Sequence, residues 1–194
     1  MKRNFYNILL AVTFLFLASC EKNNELVTQQ NNTTPINQVQ PSSALAGRTN
    51  PDDGCPETTI QLTAGQFYNA GSVVVSNDAD FIYVTYTTAN GYLLTQTHLF
   101  AGNCNAVPVN NQGNPAPGQF PHKTIHNNLT SYTYQIPVSL IPAGGCGCIA
   151  AHAVVVKLNE LGEVIEEETA WGNGVQINPT GNWGMKFDYC SCIL

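Results

Sequence analysis

Alternating apolar and polar residues dominate the C-terminal two thirds of the chain. The segment GSVVVSNDADFIYVTYTT, residues 71–88, contains two such runs around an Asn–Asp pair, which predicts two strands joined by a turn. Asn90–Gly91 is a strong hairpin-turn signal, and the strand-like run YLLTQTHLFAG follows it. Within this run His98 is expected on the face that carries Leu94 and Phe100.

The later segments continue the β pattern. Residues 131–140, SYTYQIPVSL, alternate strictly, whereas residues 148–158, CIAAHAVVVKL, are apolar on both faces, as is typical of a central strand. Residues 159–171, NELGEVIEEETAW, predict a turn and a return strand, because Gly162 disfavours a helix there. Strict alternation places Glu166, Glu167 and Glu168 on both faces of a solvated edge strand rather than in a convergent acid–base pair.

One long segment breaks this periodicity. Residues 101–131, AGNCNAVPVNNQGNPAPGQFPHKTIHNNLTS, are rich in Pro, Gly and Asn and predict an ordered loop that lies over the strands. Loops of this length without periodicity are usually functional or disordered, so an ordered one is where ligand contacts are expected first.

The first twenty residues have the organisation of an export signal. Lys2 and Arg3 precede an apolar run that is too short to span a bilayer, and the run ends in Leu17-Ala18-Ser19-Cys20. This ending resembles the lipobox of bacterial lipoproteins. The resemblance implies that residues 1–19 are a signal peptide and that Cys20 receives the lipid, including a palmitate-type acyl chain, that anchors the mature protein to a membrane.

Residues 20–54 are polar, rich in Asn and Gln, and without an apolar period, so we expect a lipidated cysteine followed by a disordered linker. Residues 55–194 are long enough for one domain with its own core. Their short strands and frequent turn residues predict an all-β fold, an antiparallel β-sandwich of jelly-roll or immunoglobulin-like type, stapled by disulfides.

The amino-acid composition limits the classes of partner that the protein is expected to bind. Charged residues make up 10% of the chain, against about 25% in typical globular proteins. Loss of Lys2 and Arg3 with the signal peptide would shift the formal charge from −6 to −8. A chain with so few cations cannot neutralise many phosphates, so nucleic acid is not an expected partner.

Seven cysteines bear on the compartment. With Cys20 assigned to lipid, an even set of disulfide candidates remains: Cys55, Cys104, Cys146, Cys148, Cys190 and Cys192. Residues two apart on a strand share a face, so neither C-x-C pair is expected to bond internally. Cys104 is expected to pin the long loop to the Cys146–Cys148 region, and Cys55 to join a C-terminal cysteine. A four-thiolate zinc site is the rival interpretation, but the C-x-C spacing and the oxidising compartment disfavour it.

Other candidate groups are sparse. The candidate ligand contacts are Phe120, His122 and His126 of the long loop and the two tryptophans, Trp171 and Trp183. The tryptophans could stack on sugar rings, but filling the core is the favoured interpretation for both. His122 and His126 would share a metal only on a helix, which Pro121 disfavours, and no metal site is predicted. His98 and His152 are either core residues or site residues.

No cofactor is predicted. Calcium at Asp78 and Asp80 is the weaker alternative to ordinary turn chemistry, in which Asn and Asp side chains bond their own backbone. G-x-S-x-G is absent from the sequence, as are phosphate-binding glycine loops, so no catalytic residue is nominated.

Four short motifs follow one another along the chain: THLFAG at 97–102, GQFP at 118–121, CIAAHA at 148–153 and ETAWG at 168–172. This string resembles a poorly characterised domain of secreted bacterial surface proteins, and the asparagine-rich, low-charge style is similar to lipoproteins of the Bacteroidetes kind. The resemblance implies an outer-membrane location facing the periplasm or the surface, and it implies no activity.

These observations favour a lipid-anchored, non-enzymatic envelope module that binds or adheres to a glycan or protein partner. Two alternatives stay open: a secreted hydrolase with a site built from His98, His152 and a distant carboxylate, and a structural subunit of an envelope complex.

Overall fold

A computed structural model describes residues 57–141 and 145–192 of the chain. They form ten β-strands: β1 Thr58–Ala64, β2 Tyr68–Asn77, β3 Phe81–Thr88, β4 Leu93–Gly102, β5 His122–Leu129, β6 Ser131–Pro137, β7 Cys146–Leu158, β8 Val164–Gly172, β9 Val175–Gln176 and β10 Met185–Cys190. Three single-turn 3₁₀ segments lie at Cys104–Ala106, Pro117–Gln119 and Val138–Leu140. Within these described ranges no helix is long and apolar enough to cross a bilayer.

All strand pairings in the sheet are antiparallel. Eight strands follow the order β5-β4-β7-β8-β1-β2-β3-β6, and β10 pairs with both β7 and β9. The sheet curls until it is nearly closed into a barrel, with β5 and β6 as the two ends of the path. The all-β, antiparallel prediction is therefore confirmed. The sandwich of two packed sheets is not confirmed, because these strands belong to one continuous sheet.

The core lies inside this barrel. Alternate residues of the main strands point inward, among them Leu62 of β1, Val84 of β3 and Ile149 of β7, and all three are fully buried. Strand β7 pairs with β4 along one edge and with β10 and β8 along the other, and it is buried on both faces because each face packs in an apolar cluster. The prediction of a central strand at 148–158 is thus confirmed.

A second, smaller apolar cluster lies on the outer face of β4, β7 and β8. It comprises Phe100, Val107, Phe120, Ala150 and Trp171, with Ile177, Trp183 and Met185 packed against it. Phe120 and Val107 come from the segment that follows β4, so that segment covers the sheet from outside. The two clusters define an inner face and an outer face for the sheet.

A bulge in β4 changes the expected faces of that strand. Against β7 the register shifts between Leu94 and Gln96, so that β4 contains one extra residue there. Leu94 consequently packs in the inner core while Phe100 packs in the outer cluster. The expectation that Leu94, His98 and Phe100 share one face is wrong for Leu94.

The long segment 101–131 is only partly a loop. Residues 103–121 are irregular, with two 3₁₀ turns and a bridge between Val109 and Pro115, but 122–129 form strand β5. This strand, HKTIHNNL, has polar residues on both faces, so hydrophobic periodicity does not mark it. The ordered cover is confirmed, and the loop ends at β5 rather than at Ser131.

Two disulfides hold the outer cover and the C-terminal strand. Cys104 bonds to Cys148, which pins the start of the long loop to β7 as expected. Cys146 bonds to Cys190, opposite it in the register of β7 and β10. Neither C-x-C pair bonds internally. Cys192 forms no disulfide with another described cysteine, and Cys55 lies outside the described residues.

Two predicted turns have the expected chemistry. Asn90 and Gly91 both have positive φ, at 56° and 81°, as the tight turn before β4 requires. The Asp78 carboxylate accepts hydrogen bonds from the backbone N–H of Asp80 and Phe81 and from the Tyr83 hydroxyl. These bonds lower the pKa of Asp78 although partial burial opposes the shift. Turn chemistry therefore accounts for Asp78.

The predicted signal peptide (1–19) and linker (20–54), together with lipidation at Cys20, lie outside the described residues.

Candidate functional site

The two end strands of the barrel, β5 and β6, meet at a seam lined by polar and aromatic side chains. His122, Thr124 and His126 alternate along β5 on one face, and each is half-buried. Tyr132 and Tyr134 occupy the matching face of β6. We call the set His122, Thr124, His126, Tyr132 and Tyr134 the seam. Beneath it lies Thr97 of β4, which is fully buried.

Hydrogen bonds join the seam to Thr97. The Thr97 hydroxyl lies 2.8 Å from Nε2 of His126 and 2.8 Å from the Tyr134 hydroxyl. The Tyr134 hydroxyl is also 3.1 Å from the Thr97 carbonyl oxygen and 3.2 Å from the Thr124 hydroxyl. Thr124 donates in turn to the Tyr132 hydroxyl at 3.3 Å. The network fixes the side chains of both end strands without a backbone ladder between β5 and β6.

Four aromatic rings line the same seam. The His126 ring centroid lies 4.5 Å from that of Tyr132, and the Tyr132 and Tyr134 rings meet edge-on at 4.9 Å. His122 lies 6.1 Å from Tyr134. Aromatic contacts at these distances add to the stability of each pair and hold the ring planes in place.

The seam is electrically neutral. Desolvation lowers the pKa values of His122 and His126, so both imidazoles are uncharged at neutral pH. Burial is the largest cause that raises the pKa of Tyr134, which keeps its hydroxyl protonated. The site therefore presents hydroxyls, imidazole nitrogens and ring faces, and its own side chains carry no charge.

A second histidine pair lies on the opposite face of β4. His98 and His152 face each other in the register of β4 and β7, and their Nδ1 atoms are 3.1 Å apart. This spacing suits a hydrogen bond in which one neutral imidazole donates to the other. The Trp171 ring meets His152 edge-on at 4.7 Å. We call His98 and His152 the covered pair and Trp171 its lid.

Burial keeps the covered pair neutral. Desolvation lowers the pKa of His152 to about 3, and the nearby His98 adds to the shift. The pKa of His98 is lowered first by desolvation and then by the charge of Lys123, its register partner on β5. His152 is 6% exposed. His152 is therefore a buried, neutral histidine, whereas His98 is half-buried.

The described surroundings of the covered pair bear on catalysis and metal binding. Its described hydrogen bonds include no carboxylate that would orient an imidazole as a base. The cluster of metal-ligand side chains among residues 57–141 and 145–192 is Cys104, Cys148 and Asp188, whose ligand atoms lie within 4.8 Å of one another. The two sulfurs form a disulfide, so they are not thiolate ligands. His122 and His126 lie on a strand, where four residues span about 13 Å, too far to share one ion.

The predicted contact residues divide between the two faces. His122 and His126 belong to the seam. Phe120 and Trp171 are 1% and 4% exposed and pack in the outer cluster, with ring centroids 6.3 Å apart. Trp183 is partly buried against the same cluster. The rings of Phe120 and Trp171 are therefore closed to a ligand unless the segment 103–121, which includes Phe120, moves away from the sheet.

Glu166 takes part in a surface pair. It accepts hydrogen bonds from Lys157 at 2.9 Å and from the Tyr92 hydroxyl, and these contacts lower its pKa. Residues 164–168 pair with β7, and the β1 pairing of β8 covers residues 170–172. The glutamate run therefore lies where β8 has one ladder partner, as expected for a solvated edge, and it supplies no acid–base pair.

Sequence reasoning did not single out Thr97, Thr124, Tyr132 or Tyr134 as site residues. Alternation places Tyr132 and Tyr134 on the same face of their strand. It does not show which other strand comes next to them in the fold. One signal was present in the sequence. His122, Thr124 and His126 occupy every second position, as they would on a strand whose inward face is polar.

Comparison with known proteins adds no relative. No protein-family model matches this chain. Likewise, neither the curated proteins nor the solved structures contain a match.

Proposed function

We propose that this domain is a non-catalytic binding module that takes a neutral glycan at the seam. The observation that carries the proposal is the arrangement of four aromatic rings and three hydroxyl-bearing side chains on an uncharged, partly open surface between β5 and β6. A sugar ring presents C–H faces that stack on aromatic rings and hydroxyls that exchange hydrogen bonds with neutral groups.

The fixed orientation of the seam supports binding. Tyr134 and Thr97 are buried and hydrogen-bonded, so they form a rigid floor, whereas His122, His126 and Tyr132 are half-buried and form the walls. Preorganised side chains lose little conformational entropy when a ligand arrives. An anionic ligand is disfavoured, because Lys123 points away and donates to the Gly118 carbonyl on the other face.

The geometry of the covered pair supports a non-enzymatic function over the hydrolase. A histidine hydrolase needs a carboxylate partner and a path for the substrate. His98 and His152 do meet, as that alternative requires, yet His152 is buried and packs edge-on against Trp171, and neither histidine has a described carboxylate partner.

A glycan array tests the proposal. The purified full chain is applied to immobilised neutral and acidic oligosaccharides, and we expect retention on a neutral set. Tyr132→Ala, which removes one wall, should weaken the best signal by about five- to 150-fold, since a stacked, hydrogen-bonded aromatic contact contributes roughly 1–3 kcal/mol. Gln135→Ala is the matched control, because Gln135 is exposed on the other face of β6.

Three results would contradict the glycan proposal. They are retention on acidic sugars alone, equal retention by the Tyr132→Ala and parent chains, and absence of retention. If the array stays blank while the chain co-purifies with an envelope assembly, the structural-subunit alternative gains.

The proposal includes a membrane anchor at Cys20. It is supported by the sequence Leu17-Ala18-Ser19-Cys20 and the apolar run before it. Cells that make the parent chain should incorporate labelled palmitate into it and retain it in the outer-membrane fraction. Cys20→Ser should abolish both the label and the retention. A Cys20→Ser chain that is still labelled and membrane-bound would refute the anchor.

A further inference from the structure

A chain of four hydrogen-bond contacts runs through the seam from His126 to Tyr132. The hydroxyl of Thr97 lies 2.8 Å from Nε2 of His126 and 2.8 Å from the Tyr134 hydroxyl. Tyr134 donates to the Thr124 hydroxyl at 3.2 Å, and Thr124 donates to the Tyr132 hydroxyl at 3.3 Å. The Thr97 carbonyl oxygen, 3.1 Å from the Tyr134 hydroxyl, competes for the same Tyr134 proton and supplies none. Each hydroxyl therefore has one proton for the contacts along the chain.

The number of protons places one on Nε2 of His126. When Tyr134 donates to Thr124, the hydrogen bond between Tyr134 and Thr97 takes the Thr97 proton. Thr97 then has none left for His126, so the 2.8 Å contact is a hydrogen bond only when Nε2 donates it. Thr97 is fully buried, and buried polar groups are hydrogen-bonded. Desolvation lowers the pKa of His126, so its imidazole holds one proton at neutral pH, and a proton on Nε2 leaves Nδ1 as an acceptor.

The two ends of this chain are the groups that a ligand meets. His126 and Tyr132 are half-buried, and their ring centroids lie 4.5 Å apart. Within residues 57–141 and 145–192, Nδ1 of His126 has no hydrogen-bond partner, and the Tyr132 hydroxyl takes part only as an acceptor from Thr124. The two nitrogens of an imidazole point in different directions, so Nδ1 faces away from Thr97. The seam thus offers one acceptor, Nδ1, beside one donor, the Tyr132 hydroxyl.

We propose that His126 and Tyr132 bind two neighbouring hydroxyls of one sugar ring. One sugar hydroxyl donates to Nδ1 of His126, and the adjacent hydroxyl accepts from the Tyr132 hydroxyl. The close spacing of the two protein rings places both hydroxyls on the same sugar. This inference rests on the proposed binding of a neutral glycan at the seam and adds its chemical class, a ring with an unsubstituted vicinal diol.

The tautomer of His126 is measured first, in the isotope-labelled full chain at neutral pH without any sugar. NMR correlations between the ring nitrogens and the ring protons distinguish a protonated nitrogen from a bare one. We expect a proton on Nε2 and none on Nδ1. A proton on Nδ1 instead would overturn this inference and leave glycan binding at the seam standing, because the aromatic walls do not depend on the tautomer.

Simple glycosides test the diol. Methyl glucoside, methyl galactoside and methyl mannoside are titrated into the full chain, and each is compared with its monodeoxy analogues at every ring position. For a glycoside that binds, loss of either of two neighbouring hydroxyls should weaken binding roughly two- to tenfold, as loss of one hydrogen bond does. Loss of any other hydroxyl should have a smaller effect. Equal affinity for all analogues, or binding of none of the three glycosides, would overturn the diol, whereas a glycan retained on the array would still support the proposed function.

Two variants assign each sugar hydroxyl to its partner. Tyr132→Phe keeps the ring and removes the donor, so it should lose discrimination at one position of the diol and keep it at the other. His126→Gln keeps a donor to Thr97 and removes Nδ1, so it should show the reverse pattern. Gln135→Ala, exposed on the other face of β6, should behave as the parent does. A Tyr132→Phe chain that discriminates at both positions would overturn the inference.

Discussion

Thr97 and His98 are neighbours in β4, yet they belong to two different environments. Thr97 points into the barrel and anchors the seam, where the half-buried groups are hydroxyls, imidazoles and ring edges. His98 points outward and pairs with His152, which packs against Trp171. Both regions contain two histidines with lowered pKa values, but His152 is buried, whereas both seam histidines are half-buried.

This difference shows that close histidines are a poor guide to a site by themselves. The covered pair has the shorter histidine–histidine contact, and it was the sequence-based candidate for catalysis. His152 is buried, and neither histidine has a described carboxylate partner, so we propose that the pair is a packing element. In the seam, ring contacts and hydrogen bonds combine with exposure, and only that combination leaves groups available to a ligand.

The largest expected effect comes from opening the covered side. Trp171→Ala removes the lid over His152 and leaves a cavity in the outer cluster, so the free energy of unfolding should fall by about 3–5 kcal/mol. Denaturant unfolding measures this change. Trp183→Ala, at a partly buried position, should cost less. A loss below about 1 kcal/mol for Trp171→Ala would contradict the packing role.

The second-largest effect is expected from acidification, which should lower the free energy of unfolding through His152 of the covered pair. The pKa of His152 is about 3 in the folded chain, below the ordinary 6.5, so the unfolded state binds the proton more readily. The stability from its neutral form is complete above pH 6.5 and is lost as the pH falls toward 3. Between pH 7 and pH 5 the free energy of unfolding should drop by about 2 kcal/mol from this residue.

His152→Gln tests that source, because it removes the titrating group and keeps a hydrogen-bonding side chain. Unfolding curves at pH 7 and pH 5 should then show a smaller difference than those of the parent. His122→Gln is the matched control, since a half-buried histidine contributes less to the slope. An unchanged pH dependence in His152→Gln would refute the assignment to this residue.

A smaller effect is expected from the floor of the seam. Tyr134→Phe keeps the ring and removes the hydroxyl that lies within hydrogen-bond distance of Thr97 and Thr124. Because the substitution removes hydrogen bonds to the fully buried Thr97, whose hydroxyl then keeps only His126 as a described partner, the free energy of unfolding should fall by about 1–2 kcal/mol. Chemical unfolding at neutral pH measures this. A neutral or stabilising effect would show that the network does not hold the seam.

The smallest expected effect separates the two faces at β5. Lys123 lies opposite His98 and lowers its pKa, while its neighbours His122 and Thr124 face the seam. Lys123→Gln should raise the pKa of His98 slightly and leave that of His126 in place. An NMR titration of the histidine ring protons follows both. A shift at His126 with none at His98 would contradict the face assignment.

The strand content was predictable from the sequence where one face is apolar. Runs such as 81–88 and 131–137 alternate, and each forms the expected strand. Strand β5 was missed because its inward face is His122, Thr124 and His126, which carry no hydrophobic period. Near-closure into one barrel was also beyond reach, since alternation shows that each strand has an inner face but not which strands pair.

The candidate site was only half predictable for the same reason. His122 and His126 were named as ligand contacts, but their partners Tyr132 and Tyr134 lie on the other end strand, and only closure brings them together. The pairing of His98 with His152 depends on register across β4 and β7, where a single-residue bulge changes the faces. Sequence spacing within one strand contains neither fact.

The four histidines of the chain provide the most direct test of glycan binding at the seam, because two report each region. Histidine ring signals are recorded by NMR while a neutral oligosaccharide retained on the array is titrated into the full chain. Binding at the seam should shift the signals of His122 and His126 and leave those of His98 and His152 unchanged. Shifts confined to His98 and His152, or no shift at saturating ligand, would contradict binding at the seam.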